Sequence, residues 1–454
     1  MLGAVGDGGN ISITAGSLSL TDGAEIDARV REASDSLPGG NGQGGNININ
    51  VNDTLTIAEG DTPRIIASLG TGAIGNGGKI DIQAKNLVAN NGGQINAITS
   101  GRGNAGEINI KVSDTIIFDN KSGVISNVNS AAVGDAGTIT IITDSLNLAN
   151  EALISSGVVF GQGNGGEIFV STNSLNLTNM AIIDATTFGQ GNASEIEINA
   201  NFVNLNNNAI ISNLSTTNFN AGNIILNIAN FLQATDSTIS TLSIQSSGGN
   251  LTITSGDIQL RGDSNLITSI FSGNGNGGNI TINADSVIAF NNSDIFASAP
   301  EGQGGNITLN TPAFFAENFT FNSLIANPDE LFSNDRADVN ATGAVSGSVS
   351  IPDVSFIQNS LTELANNSIN TDELVANSCV VPAGERSQGK FIITGSESLP
   401  VRPGDNLPSK YSTGEVRGAS EDNSSWQTGD PIVEAQDAYR LADGEWVLSR
   451  ECPQ

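Results

Sequence analysis

The chain has 454 residues, a net charge of −30 and only 14% charged residues. That balance argues against nucleic acid, whose phosphates require basic partners, and no apolar run approaches the ~18 residues of a membrane-spanning helix. With no histidine and two cysteines, histidine-based catalysis, histidine-ligated zinc, a four-cysteine zinc site and a disulfide-framework fold are excluded.

Length predicts two or three domains. Met1 to Asn10 carry neither the basic nor the apolar region of a signal peptide. From Gly9 onward the chain repeats. A small residue, a variable residue and an alternating aliphatic pair recur as Gly9-Asn10-Ile11-Ser12-Ile13, Gly45-Asn46-Ile47-Asn48-Ile49 and Gly78-Lys79-Ile80-Asp81-Ile82. The series runs on to Gly305-Asn306-Ile307-Thr308-Leu309, eleven copies spaced 27 to 36 residues apart.

Each copy has the same internal order. In Gly278–Gly304 the reading predicts strands at Asn279–Ala284, Ser286–Phe290 and Ser293–Ala297, closed by a turn at Pro300–Gly304. Three short strands cannot bury a core or pair their own backbone groups. Coiling solves both problems. Each unit becomes one rung, and its strands pair in parallel with their equivalents above and below. Ile, Leu and Val point inward, Asn, Thr and Ser point outward, and Gly supplies positive φ and close approach at the turns. The expected fold is all-β, a right-handed three-faced parallel β-helix over residues 1–311, about eleven rungs and roughly 50 Å long at ~4.8 Å per rung. No 3.6-residue period supports a leucine-rich repeat, the unit is too short for a propeller blade, and the Gly-rich turns lack the repeating Asp of calcium-binding rolls.

Residues 312–376 read as a degenerate rung and cap. Phe314, Phe315, Phe319, Phe321 and Phe332 are placed to cover the last rung, and a weakened anchor returns at Gly347-Ser348-Val349-Ser350-Ile351. Ser360–Ala365 and Thr371–Ala376 are short helical candidates. Residues 377–454 form a C-terminal module rich in Pro and containing both Trp and both Tyr. Phe391–Thr394 and Glu445–Leu448 read as strands, and Tyr439–Leu448 as a hairpin around Asp443-Gly444.

Candidate chemistry is sparse. Glu107, Glu167 and Glu195 fall at equivalent rung positions and Glu197 alternates with Glu195, a ladder that would suit a weak cation site or simply solvate one face. Arg261-Gly262-Asp263-Ser264 matches an integrin-read tripeptide and equally a turn that needs Gly. Ser387-Gln388-Gly389-Lys390 fits an S-x-x-K pattern without its companion motifs and reads as a turn. No catalytic, cofactor or metal residues are assigned.

The Gly-Asn-Ile-Thr-Ile rungs resemble those of filamentous-haemagglutinin-like exoproteins of two-partner secretion. The tail is similar to that of such exoproteins in cyanobacteria, at Asn377-Ser378-Cys379, Phe391-Ile392-Ile393-Thr394-Gly395, Leu399-Pro400, Gly429-Asp430-Pro431-Ile432-Val433-Glu434 and Leu448-Ser449-Arg450-Glu451-Cys452. The resemblance implies export through an outer-membrane β-barrel transporter, a secreted or cell-surface location and an adhesive role without catalysis. It also implies that this chain is the C-terminal part of a longer exoprotein, since the family's secretion domain is not among its residues. An outer face of Asn, Thr and Ser would suit surface glycans. In such an exported protein Cys379 and Cys452 are a candidate disulfide closing about 74 residues, worth ~4 kcal/mol in a chain-entropy treatment; two free thiols are the alternative. A β-helical polysaccharide lyase or hydrolase and a non-secreted gene remnant are the competing readings.

Overall fold

The computed structural model describes residues 4–352 except 36, 59–62, 318, 320–330 and 332–333, together with the strands Asp437–Arg440 and Trp446–Ser449. The chain divides into two compact units, Met1–Gln358 and Asn359–Gln454.

The first unit is a parallel β-helix, as the repeat predicts. One sheet runs in chain order from Ile11–Ala15 through Ile168–Thr178 to Val349–Ser350, a path of twelve strands with parallel neighbours throughout. A second sheet of eleven short parallel strands runs from Glu25–Asp27 to Val339–Asn340. Single-residue bridges link the turns that close each coil, in the series Val30, Leu69, Thr99, Val128, Val158, Thr187, Ser215, Ser243 and Ile270. Among the described residues there is no helix.

Alternation in the sequence becomes alternation in burial. In Ile168–Thr178 the side chains of Ile168, Val170, Leu175 and Leu177 are buried, while Phe169, Asn173 and Asn176 face outward. Because the register is whole residues, each inward side chain sits on its equivalent: Leu146 on Leu175 on Val203, and Ile139 on Ile168 on Ile196. These columns form one continuous apolar core from Leu20 to Ala341. A few smaller clusters lie outside it; Val128, Ala132 and Val158, for instance, fill a lobe formed by the closing turns.

Three details differ from the sequence expectation. The first and second strands of a unit are separate in the first two coils and again in the coil of Ile307–Asn310 and Phe314–Ala316, but from Ile80–Ala89 to Ile280–Ala289 they run on as one strand of 10–12 residues. Where the corner falls, two successive residues point outward (Asn173 and Ser174 in one coil), so the strand changes phase and bends without breaking its ladder. The inward Thr172 hydroxyl at that corner donates to the Asp144 carbonyl of the preceding coil, 2.9 Å away.

The second difference concerns positive φ. Between the second and third strands the chain turns through left-handed residues that are mostly Asn and not Gly: Asn120, Asn150, Asn179, Asn207 and Asn291 have φ of 49–55°. Asn tolerates this conformation because its short polar side chain bonds locally. Here it bonds along the stack, Asn207 Nδ2 donating to Asn179 Oδ1 and Asn179 Nδ2 to Asn150 Oδ1, at 2.7 and 2.9 Å. The third concerns the anchor glycines, whose φ is not positive. A β-carbon on Gly137, Gly249 or Gly278 would collide with the carbonyl oxygen of the anchor one coil earlier, so Gly is required there by close approach.

At the C-terminal end the degenerate anchor pairs as expected, Val349 with Ile307 and Ser350 with Thr308. Phe314 is buried in the core and meets Phe319 edge-on at 5.5 Å, while Phe315 is exposed. Leu331 is buried on the outer face of the short sheet against Ile267 and Phe296. In the second unit Asp437–Arg440 pairs antiparallel with Trp446–Ser449, the hairpin expected around Asp443-Gly444. Phe321, Phe332, Ser360–Ala365, Thr371–Ala376, Phe391–Thr394, Ser387–Lys390, Cys379 and Cys452 lie outside the described residues.

Candidate functional site

In-register coiling turns every outward position into a column, so any site on this surface is a column or the space between two. The most regular is an amide column on the closing turns. The side-chain oxygens of Asp7, Gln43, Asn76, Asn104, Asp135, Asn164 and Asn192 each accept the backbone N–H of the equivalent residue one coil on, at 2.8–3.1 Å. A second column follows the anchors, where Asn10, Asn223, Asn250 and Asn279 do the same at 2.8–3.0 Å.

The carboxylates singled out in the sequence interrupt this second column and are not brought together as one group. Glu107 lies next to Lys79, whose Nζ is 3.5 Å from Glu107 Oε1 and 3.2 Å from Asp81 Oδ1, and it also accepts from Asn109 at 2.6 Å. Burial opposes the Lys79 charge, but Asp81 and Glu107 outweigh it and raise its pKa. Thr138 separates Glu107 from Glu167 and Glu195, which occupy adjacent coils. Glu197 sits one outward position along and accepts from Asn199 at 2.9 Å. Among the described residues no group of three or more metal-ligating side chains gathers.

Arg261 and Asp263 are exposed at the turn after the second strand, with Gly262 between them at φ +66°. The turn is tied down. Asp263 Oδ1 accepts from Asn265 at 2.9 Å and Asn292 at 3.3 Å, and the buried Ser264 hydroxyl donates to the Arg261 carbonyl at 2.6 Å.

Sequence reasoning missed a groove along the bent corner of the long sheet. Its floor is the corner column Val51, Ala84, Val112, Thr143, Thr172, Ala200 and Ile228. Its walls are the outward residues on either side, Asn50, Gln83, Lys111, Asn199 and Asn227 on one and Asn52, Lys85, Ser113, Asp144 and Asn201 on the other. The groove holds two depressions of about 510 and 420 Å³. The first carries Lys85 and Lys111, and the second is lined by uncharged residues alone, chiefly amides and hydroxyls. The corner could have been found from the consecutive polar residues that break the alternation in several long strands, such as Lys85-Asn86, Asp144-Ser145, Asn173-Ser174 and Asp285-Ser286.

Two carboxyls with buried oxygens lie at the third strand, Asp184 at the end of Ile182–Asp184 and Asp294 just before Ile295–Phe296. Burial pushes Asp184 up to about 6, against hydrogen bonds from Ser155 and Thr186 that favour its charge. Asp294 is fully buried and is pushed up to about 8 by burial; the Asp338 N–H that donates to it at 2.9 Å works in the opposite direction, and the nearby Asp338 and Asp263 charges add to the rise. Both positions sit at the ends of packed strands and not in an open cleft.

Comparison with protein-family models, with curated proteins and with solved structures gives no match to this chain. Chemically, the arrangement offers long polar tracks of neutral donors and acceptors, a geometry suited to holding an extended hydroxylated ligand.

Proposed function

We propose that this chain is a non-catalytic, adhesin-like β-helical rod belonging to a secreted or cell-surface exoprotein, with surface glycans as its partners. The observation that carries the reading is the corner groove, which runs from coil to coil and whose second depression is walled by amides and hydroxyls, while the first adds Lys85, Lys111 and Asp144. Many weak, equivalent contacts suit an extended polymer better than one compact substrate. The rung and tail resemblance adds the route: two-partner export through an outer-membrane β-barrel transporter.

The test is attachment of the purified chain to glycan-bearing surfaces, with polymer chain length measured in parallel. Retention with the polymer intact is the expected result. Release of new reducing or unsaturated ends would replace the rod with a lyase or hydrolase, and no retention on any glycan would remove the adhesive role. Protease shaving of intact producing cells checks the location, and peptides of this chain are expected in the released fraction.

A further inference from the structure

The closing turns carry an apolar stripe that the fold does not explain. The residues that follow the bridge positions in five successive coils are Val159, Phe188, Thr216, Ile244 and Phe271; Phe188 and Phe271 are exposed and the other three half-buried. At ~4.8 Å per coil they span roughly 19 Å. Phe160 joins the stripe, its ring centroid 5.9 Å from that of Phe188. Phe160 is 66% exposed and Phe271 60% exposed. Phe160 also has φ +57°, a left-handed conformation that a bulky side chain rarely adopts. Neither burial nor backbone preference favours phenylalanine there, and exposed apolar stripes of this kind mark binding surfaces.

The surroundings select the ligand. The five turns 156–166, 186–193, 214–222, 242–250 and 270–277 contain no charged residue, in a chain of net charge −30. Exposed amides flank the rings at Gln162, Gln190, Asn218 and Gln245. Carboxylates contact the two end turns, Asp135 accepting from the Asn164 N–H and Glu301 from the Gly273 N–H, each at 2.8 Å. An aromatic face carries partial negative charge and attracts the polarised C–H face of a pyranose ring, and amides meet its hydroxyls. The acidic chain as a whole repels anionic polymers and a second copy of itself.

We infer that the Phe160–Phe188–Phe271 stripe is a binding platform for a neutral, linear polysaccharide, separate from the corner groove. This rests on the adhesin reading and names the ligand class and a second site for it.

The test uses the full chain against microcrystalline cellulose, a soluble neutral β-glucan and polygalacturonate, with parent, Phe188→Ala/Phe271→Ala and Phe271→Trp. The side chains replaced are exposed, so the guanidinium midpoint is expected to stay at the parent value. Expected is retention of the parent on the neutral polymers, a roughly tenfold or greater loss in the double variant, and parental binding in Phe271→Trp. Three outcomes overturn the stripe: parental binding by the double variant, preference for polygalacturonate, or concentration-dependent self-association abolished by the double variant. If the double variant binds glycans as the parent does, the stripe falls and the adhesive rod stands. If the stripe binds neutral glucan but the parent attaches to no glycan-bearing cell surface, the rod reading falls and the stripe stands.

Discussion

Leu175 and Asn176 are neighbours in sequence on opposite faces of one strand, and they should behave as different classes of residue. Leu175 has no exposure and is stacked between Leu146 and Val203. Leu175→Ala removes three carbons, ~2.4 kcal/mol at ~0.8 kcal/mol each, and the unfilled volume raises the cost to about 3–4 kcal/mol. Asn176 lies on the outer face, donating to Asn147 at 2.9 Å and Ser174 at 3.2 Å. Asn176→Ala should cost about 1 kcal/mol, since an exposed hydrogen bond is largely replaced by water. Guanidinium unfolding measures both. Hydrogen exchange adds a spatial test, because coils touch only their neighbours and the damage should stay near Ile139–Ala149, Ile168–Thr178 and Ile196–Asn206. A larger cost for Asn176→Ala than for Leu175→Ala would refute the stacked-column account of stability.

Gly249→Ala should destabilise by more than 2 kcal/mol in the same unfolding assay, because its β-carbon meets the Gly222 carbonyl. Gly16→Ala, with open space around its β-carbon, should be neutral or stabilising by about 0.4–1 kcal/mol. Asp294 binds its proton more tightly folded, at about 8, than in its ordinary range near 3.8. Its contribution is therefore complete at low pH, falls as pH rises between those values and is gone above the upper one. Asp294→Asn should flatten that slope and be the more stable protein at alkaline pH, read from urea midpoints across the range. Glu167 and Glu195 stack at ~4.8 Å, where like charges in water cost up to ~0.8 kcal/mol. Glu195→Gln should therefore stabilise slightly, with a gain that shrinks as salt is added. Peptide mapping without reductant should find Cys379 joined to Cys452 in the exported protein; separate alkylated peptides would exclude the bond.

The path of the chain is legible because two signals agree at all but one rung, where Ser194 replaces the anchor Gly. The anchor Gly marks where coils approach most closely, and the Ile-x-Ile pair after it sets the inward phase. The corner is hidden in the sequence because Thr143, Thr172 and Ser255 stand in the inward column there, so a polarity count reads a gap between two strands where the backbone runs on. Gly is the general solution for a left-handed turn, but here the Asn pairs at 207–208 and 291–292 carry that signal instead. The groove and the aromatic stripe depend on which residues become neighbours across a 27–36-residue interval, and a linear reading of single turns does not align them.

The prevalence of Asn on this surface has a physical reason that bears on function. A side chain repeated every ~4.8 Å must tolerate its own copy above and below. A carboxylate only accepts hydrogen bonds and repels its copy, and an ammonium group only donates, whereas an amide does both and stacks without limit. Asp135 fits within the turn column because the role there is to accept, which it does from the Asn164 N–H, and its neighbours along the column are amides. The constraint that keeps the stack stable therefore also makes repeated charge on its faces costly, as at Glu167 and Glu195. The neutral amides and exposed rings on these faces are the features that the proposed uncharged, hydroxyl-rich partners would meet.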